Sequence, residues 1–263
     1  MERGSPQARR ERLTQLMPKI GPVAFARDRL LPVAAALQPL LPETGLVRGS
    51  VVGCQGPTAV SVALATVAEA TAEGSWLACV GLPSLGLRAA AEVGIALERL
   101  VMVAAPMAGA SGPVVMGNGS SADVVASTMS ALIDGFDLIL LRGAAEVRPA
   151  VARRLQARIT ARGAVLVVVG DPGSFVCDLT LSGQAGEWEG LGDGSGRLAR
   201  RRLQVSCVGR RSPRQRQVEV WLPGATGGIE AVEPTPAVAP GVAVAEAGGP
   251  VVEVMIDDFR QTG

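Results

Sequence analysis

The sequence contains no histidine and no tyrosine, and it has a single lysine, Lys19. Without histidine, the chain lacks the commonest general base, the commonest metal ligand and any Ser–His or Cys–His relay. Arginine supplies the other basic residues, and the formal net charge is +1. These absences exclude histidine-based catalysis, and the net charge favours no class of partner.

The four cysteines show no spacing typical of a reactive or metal-binding site. There is no C-x-x-C pair, and each cysteine lies in or beside an apolar run. This pattern predicts small buried hydrophobic residues rather than metal ligands or disulfides. We therefore expect no metal site and no catalytic cysteine. The cysteines are Cys54, Cys79, Cys177 and Cys207.

Long hydrophobic runs are also missing. The nearest candidate, Leu30–Leu41, is too short to span a bilayer and is interrupted by Pro32 and Pro39. Hydrophobic residues make up 48% of the chain and charged residues 19%, a composition that favours a globular core. We expect a cytoplasmic protein with no membrane contact.

The chain is organised around the stretch from Gly49 to Leu64. The run Ser50–Cys54 predicts a strand, the pair Gly56-Pro57 a turn, and Ala59–Ala72 a buried helix. A strand, a glycine turn and a helix form the layout that holds nucleotide phosphates on backbone N–H groups.

The chemistry of such a site is missing. A working phosphate loop reads G-x-x-x-x-G-K-[ST], whereas this chain has Val62 and Ala63 at the lysine and hydroxyl positions. One lysine about 4 Å from a phosphate charge contributes ~4 kcal/mol at an effective dielectric constant near 20. Its loss would weaken nucleotide binding roughly 10³-fold.

Apolar strand candidates alternate with helix candidates through residue 170. Because these strands are continuously apolar, they predict a largely parallel sheet with helices on both faces. After Asp171 the pattern becomes β-rich, and we expect an antiparallel extension of the same sheet. The predicted strands are Ser50–Cys54, Ser75–Gly81, Arg99–Ala104, Phe136–Leu141, Ala164–Gly170, Val176–Leu181, Arg201–Val208 and Gln217–Leu222. The predicted helices are Ala59–Ala72, Leu85–Glu92, Ser121–Asp134 and Val147–Arg162.

Composition divides the chain into three parts. Residues 1–44 are predicted to form an N-terminal basic helix and interaction arm, residues 45–224 the core, and residues 225–263 a flexible Ala/Pro/Gly-rich tail. Within the arm, Arg9 and Arg10 lie on the basic helix, and residues 26–41 are predicted to be helical with a kink at Pro32. Phe25 either packs on the chain's own surface or anchors in a partner's groove.

Taken in order, these elements resemble a RecA-type core. Arg48–Val52 resembles the entry to the RecA phosphate loop, Trp76–Gly81 the strand that carries the catalytic carboxylate, and Phe136–Leu141 the metal-binding strand. The resemblance implies that the sheet once held a nucleotide.

The same resemblance implies that every functional position has changed. Val62 corresponds to the phosphate-binding lysine, Ala63 to the metal-binding hydroxyl, and Pro83 approximately to the catalytic carboxylate. Arg142 stands where the metal-binding strand should end in a carboxylate. A guanidinium that pointed inward there would repel Mg²⁺ by ~8 kcal/mol at about 4 Å. We therefore expect a pseudo-ATPase with no cofactor and no catalytic residue.

A narrower resemblance is to the ImuA-like family, in its actinobacterial branch. It covers about Phe25 to Pro223 and consists of short motifs in order. These motifs are Gly45–Ser50, Gly86-Leu87, Leu97–Val101, Trp188–Gly192, Gly196–Leu198, Gly209–Arg211 and Val220–Pro223.

The ImuA-like resemblance implies a RecA-like accessory factor in DNA-damage-induced mutagenesis. It implies contacts to RecA and to an ImuB-like Y-family polymerase homologue, and an indirect link to a translesion replicative-type polymerase. The assembled protein would be associated with the nucleoid. The family's N-terminal segment is thought to imitate the RecA polymerisation arm, which fits an anchor such as Phe25.

An arginine-rich tract lies near the end of the predicted core. It could contact a phosphate backbone, although no aromatic residues are interleaved with it for base stacking. It could equally bind an acidic partner, or form solvated loops with ion pairs to Glu187, Glu189 and Asp193. DNA binding is therefore possible, and strand alternation could divide the tract between two faces. The tract consists of Arg197, Arg200, Arg201, Arg202, Arg210, Arg211, Arg214 and Arg216, of which the last four are candidate partner-binding residues.

Two alternatives to the adaptor function remain open. A SulA-like inhibitor of cell division is another degenerate RecA relative, but the arginine-rich end and long tail exceed what that role needs. A true DNA-dependent ATPase is disfavoured by Val62, Ala63 and Arg142.

Overall fold

The computed structural model describes residues 29–104, 121–191, 196–210 and 212–232. The strands are β1 Leu30–Pro32, β2 Gly45–Val47, β3 Val51–Gln55, β4 Leu77–Val80, β5 Leu100–Val103, β6 Leu138–Arg142, β7 Val165–Val169, β8 Leu179–Leu191, β9 Gly196–Gly209, β10 Ser212–Trp221 and β11 Glu230–Ala231. The α-helices are α1 Ala59–Ala72, α2 Leu87–Val93, α3 Ser121–Gly135 and α4 Pro149–Arg162. Short 3-10 helices lie at Ala35–Leu40, Leu97–Arg99 and Ala144–Glu146. None of the described helices is long and apolar enough to cross a membrane.

A nine-stranded sheet forms the centre of the described chain, in the order β11-β10-β9-β8-β3-β7-β6-β4-β5. From β8 to β5 all neighbouring strands are parallel. From β8 to β11 they are antiparallel. The predicted α/β class, with a largely parallel sheet and an antiparallel extension, is confirmed.

The central parallel strands β3, β4, β6 and β7 are buried on both faces because helices cover both sides, whereas the edge strand β5 is partly exposed. Alternation along β6 places Leu138 and Leu140 in one apolar cluster and Ile139 and Leu141 in the other. The first cluster contains α1 and the 3-10 helix Ala35–Leu40, and the second contains α3 and α4. Continuous apolar strands are therefore what this arrangement requires.

The predicted kinked helix over residues 26–41 is wrong in its described part. Leu30–Pro32 is strand β1, which pairs antiparallel with β2, and a 3-10 helix follows at Ala35–Leu40. Proline fixes its own φ and removes a hydrogen-bond donor, so Pro32 suits the end of a two-stranded ribbon better than a helix interior. Leu31, Leu37 and Leu40 are buried, which makes this segment part of the core.

The sheet also continues beyond the predicted start of the tail at residue 225. Strand β11 pairs with β10, and the Val232 N–H donates to the Glu219 carbonyl at 3.1 Å. Residues 230–232 therefore join the edge of the sheet, and residues 233–263 of the predicted tail lie outside the described residues.

Asp134 at the end of α3 holds two arginines of α4. Its Oδ1 accepts hydrogen bonds from Arg158 Nε at 2.9 Å and Arg162 Nε at 3.0 Å, and Oδ2 accepts from Arg158 Nη2. The hydrogen bond from Arg158 is the main cause that lowers the pKa of Asp134. This carboxylate therefore links the two helices on the second face.

We expect Asp134→Asn to destabilise the protein at pH 7 and to have little effect in acid. Because the folded-state pKa is lowered, the stabilisation is present above the unfolded-state value of 3.8 and is lost as pH falls through the folded-state value. Urea unfolding of both forms at pH 7 and well below pH 3.8 measures this change. Glu73→Gln, at the exposed end of α1, is the control. A difference between Asp134→Asn and wild type that persists in acid would contradict the assignment.

Candidate functional site

Four central strands end at the same edge of the sheet, and a glycine follows each of them. These glycines have left-handed φ values of 84° at Gly56, 92° at Gly170, 84° at Gly143 and 73° at Gly81. Each glycine lets the chain turn sharply off its strand. Ligands of open parallel sheets bind outside the carboxyl ends of the strands, so this edge is where a nucleotide site belongs.

The turn after β3 is too short to form a phosphate loop. In the working motif the whole glycine-rich sequence lies between strand and helix, whereas here Gly56, Pro57 and Thr58 are the complete connection. Helix α1 has already begun at Ala59, so Val62 is its fourth residue. The turn predicted at Gly56-Pro57 is present, but the backbone that would surround a phosphate has become helix.

Strand β8 covers the start of α1. The Thr58 hydroxyl donates to the Gly183 carbonyl at 2.8 Å, rather than capping its own helix. A Cβ placed on Gly183 would lie 2.3 Å from Thr58 Oγ1 and 3.0 Å from Val62 Cγ2. Val62 is 1% exposed and Ala63 0%. The two positions predicted to replace the lysine and the hydroxyl therefore lie inside the core.

The other two predicted site residues lie at the same edge but do not complete a metal site. Arg142 is the exposed last residue of β6, and Pro83 is exposed in the turn after β4. One strand, β7, separates β6 from β3, which places Arg142 about 10 Å from the turn at Gly56. In the described part of the chain, no group of three or more His, Cys, Asp or Glu residues could hold a metal ion.

The cysteines are free, and burial suppresses their ionisation. Burial raises the pKa of Cys79 to about 12 and is the main cause that raises the pKa of Cys177 to about 11. Burial likewise raises the pKa of Cys54 and of Cys207. The thiols therefore stay protonated at neutral pH, and nucleophilic or metal-binding thiolates are disfavoured.

Several arginines of the arginine-rich tract make contacts within the chain. Arg200 pairs with Glu189 at 2.8 Å, Arg202 with Glu219 at 3.5 Å, and Arg210 with Asp178 at 3.4 Å. The ion pair between Arg200 and Glu189 is one of those expected under the solvated-loop alternative.

The predicted partner-binding residues differ in how free they are to contact a partner. Arg210 is ion-paired, and Arg216 donates to the Leu41 carbonyl. Arg214 is exposed. The remaining candidates, Phe25, Arg9, Arg10 and Arg211, lie outside the described residues.

No aromatic residue is interleaved with the arginines in the sequence, but the fold places two tryptophans of neighbouring strands beside them. Strand pairing places Trp188 opposite Arg201 and Trp221 opposite Arg202. The guanidinium carbon of Arg201 lies 5.1 Å from the centre of the Trp188 ring. Arg200 and Arg202 lie 4.0 Å and 5.2 Å from that of Trp221. Finding these stacks in the sequence would have required the strand register.

Similarity to known proteins identifies the family of the chain. The family model described as the MT3502 N-terminal domain matches residues 39–173. The chain belongs to this family. The match runs from the 3-10 helix Ala35–Leu40 through the end of β7, so it covers the parallel part of the sheet and its candidate nucleotide edge.

Two further proteins resemble this member of the MT3502 N-terminal domain family. The uncharacterized protein Rv3395c of Mycobacterium tuberculosis is 34% identical over 142 residues, which span 54% of this chain and 53% of that protein. A crystal structure of a KaiC-like protein from Pyrococcus horikoshii OT3 superposes with a TM-score of 0.50 and 14% identity. It covers 78% of this chain and 99% of its own. At that identity the similarity shows the RecA-type fold alone.

Proposed function

We propose that this protein is a non-catalytic RecA-like adaptor in DNA-damage-induced mutagenesis. It links RecA to an ImuB-like Y-family polymerase homologue and, through that protein, to a translesion replicative-type polymerase. The RecA-type fold supports the first part of this proposal, and the short ImuA-like motifs support the second.

The burial of Val62 beneath Gly183 is the observation that carries the non-catalytic part. A lysine at position 62 would point into apolar core rather than toward a phosphate, and β8 occupies the space beside it. At the same edge of the sheet, Arg142 presents a positive charge where Mg²⁺ would need a carboxylate. Both changes disfavour triphosphate binding, so what remains useful in the scaffold is its surface.

Equilibrium binding and turnover test this proposal directly. We expect no Mg²⁺-dependent binding of a fluorescent ATP analogue to the purified full chain. We also expect no phosphate release with ATP, single-stranded DNA or RecA added. Saturable, magnesium-dependent binding would overturn the non-catalytic assignment. Failure to capture both RecA and an ImuB-like protein would overturn the adaptor assignment instead.

The N-terminal arm is the segment proposed to contact RecA. We expect deletion of residues 1–28 to abolish capture of RecA and to leave capture of the ImuB-like protein and the melting temperature unchanged. The deletion retains Arg29, because its carbonyl accepts the Arg48 N–H at 2.8 Å beside β1. Phe25→Ala in the full chain is the companion variant. Undiminished RecA capture by both variants would assign that contact elsewhere.

A further inference from the structure

Strands β8 and β9 continue beyond their neighbours as a two-stranded ribbon. Pairing of β8 with β3 ends at Ser182, and pairing of β10 with β9 ends where Trp221 meets Arg202. Among the described strands, residues 189–191 and 196–200 therefore pair only with each other, whereas Arg201, opposite Trp188, also accepts a hydrogen bond from the Leu222 N–H at 2.9 Å. The ribbon extends from the end of the sheet that the family match does not cover.

Large apolar side chains are exposed on this ribbon. Trp188 is 42% exposed and Leu198 is 46% exposed. Trp188 belongs to neither apolar cluster of the described residues, so its exposed ring is available to stack on a ligand.

The surrounding strands are basic. β8, β9 and β10 together contain six arginines and three glutamates. Two of the arginines, Arg200 and Arg202, form ion pairs with partly exposed glutamates. Such pairs contribute little in water, so phosphate oxygens can replace the carboxylates. The charge of the extension therefore complements a polyanion.

Arginine and tryptophan are stacked on both sides of this region. Arg201 lies over Trp188, while Arg200 and Arg202 lie over Trp221. Arg201 Nε is buried and has no hydrogen-bond partner among the described residues. Because this nitrogen is buried, a phosphate contact would come from the terminal nitrogens of Arg201, a partly exposed residue that lies beside the exposed indole of Trp188.

We infer that the β8–β9 ribbon binds single-stranded nucleic acid without sequence preference. Bases would stack on Trp188 and phosphates would contact Arg201 on the same face, while Arg200 and Arg202 add positive charge from the opposite face of β9. An acidic protein could use the same arginines and indole, but successive phosphates suit the arginines held by surface ion pairs on these strands, and bases suit the exposed ring beside them. This inference stands apart from the adaptor proposal, because it rests on neither RecA nor an ImuB-like protein.

Fluorescence anisotropy of a labelled oligo(dT) with the full-length protein tests the inference. We expect wild-type binding that weakens steeply with salt, because arginines release counterions from phosphates. Trp188→Ala should weaken binding about tenfold, in line with the loss of one stacked base. Trp188→Phe keeps an aromatic ring and should retain most of the affinity. Unchanged melting temperatures would show that both variants fold.

The chain offers matched controls. Trp76 is 40% exposed and has Arg99 at 5.1 Å over its ring, but it precedes β4, four strands away from β8. Trp76→Ala should leave oligonucleotide binding unchanged. Likewise Arg201→Ala should weaken binding, whereas Arg88→Ala on α2 should not.

Two results would overturn the inference. One is the absence of oligo(dT) binding by the wild-type protein at low salt. If Trp188→Ala then also impaired capture of a protein partner, the ribbon would be a protein-binding surface instead. The other is an equal loss of oligo(dT) affinity in Trp76→Ala and Trp188→Ala, which would show non-specific electrostatic attraction rather than a binding site on the ribbon.

Discussion

Replacing Val62 with lysine is expected to destabilise the protein rather than restore a nucleotide site. The side chain is 1% exposed and lies against Gly183, so the substitution buries an unpaired charge. An uncompensated buried charge costs about 3–5 kcal/mol. Because a domain is stable by only about 5–15 kcal/mol, Val62→Lys should remove a large share of the free energy of unfolding. Urea denaturation followed by tryptophan fluorescence measures this loss.

The matched control for this variant is Ala72→Lys, which places the same side chain at the exposed end of α1. It should change stability by no more than about 0.5 kcal/mol. A Val62→Lys protein that kept wild-type stability and bound Mg²⁺-ATP would contradict the structural argument. The chain would then lack only a lysine, and the loop itself would be intact.

Local patterns were sufficient to predict the parallel core. Helix α1 has the bounds predicted for it, because an apolar run without glycine or proline is flanked by glycine at both ends. Strands β3, β6 and β7 were found for a similar reason, since each is a short apolar run that ends at a glycine. Such elements are specified by neighbours in the sequence.

Features that depend on distant contacts were not predictable in the same way. Leu30–Pro32 is a strand because β2 lies beside it, and its own apolar composition suits a helix equally well. The Arg201–Trp188 stack depends on a register that includes irregularities between Ala185 and Trp188. The closure of the nucleotide edge depends on Gly183, more than a hundred residues after Val62. Sequence spacing alone carries no information about that contact.

The packing of β8 over the start of α1 leads to the second prediction with a large expected effect on stability. Gly183→Ala should lower the free energy of unfolding by about 1–3 kcal/mol, the usual cost of overpacking. The new Cβ would lie 2.3 Å from Thr58 Oγ1, so α1 or β8 must move. That movement also weakens the hydrogen bond from Thr58 to the Gly183 carbonyl. Alanine in a strand is otherwise about 0.5–1 kcal/mol more stabilising than glycine, because glycine loses more conformational entropy on folding. The steric overlap must therefore cost more than this difference. Thermal and urea unfolding give the net sign.

Gly135→Ala provides the control, because a Cβ at the end of α3 meets no atom within 4 Å. It should be neutral or slightly stabilising.

A double-mutant cycle then identifies the cause of the destabilisation. Thr58→Ala removes the overlapping Oγ1, so the double variant should be more stable than the sum of the single effects predicts. Strict additivity would show that Gly183 and Thr58 do not press on each other. The start of α1 would then be open beside β8, and the structural case against a nucleotide at this edge would rest on Arg142 and the short turn alone.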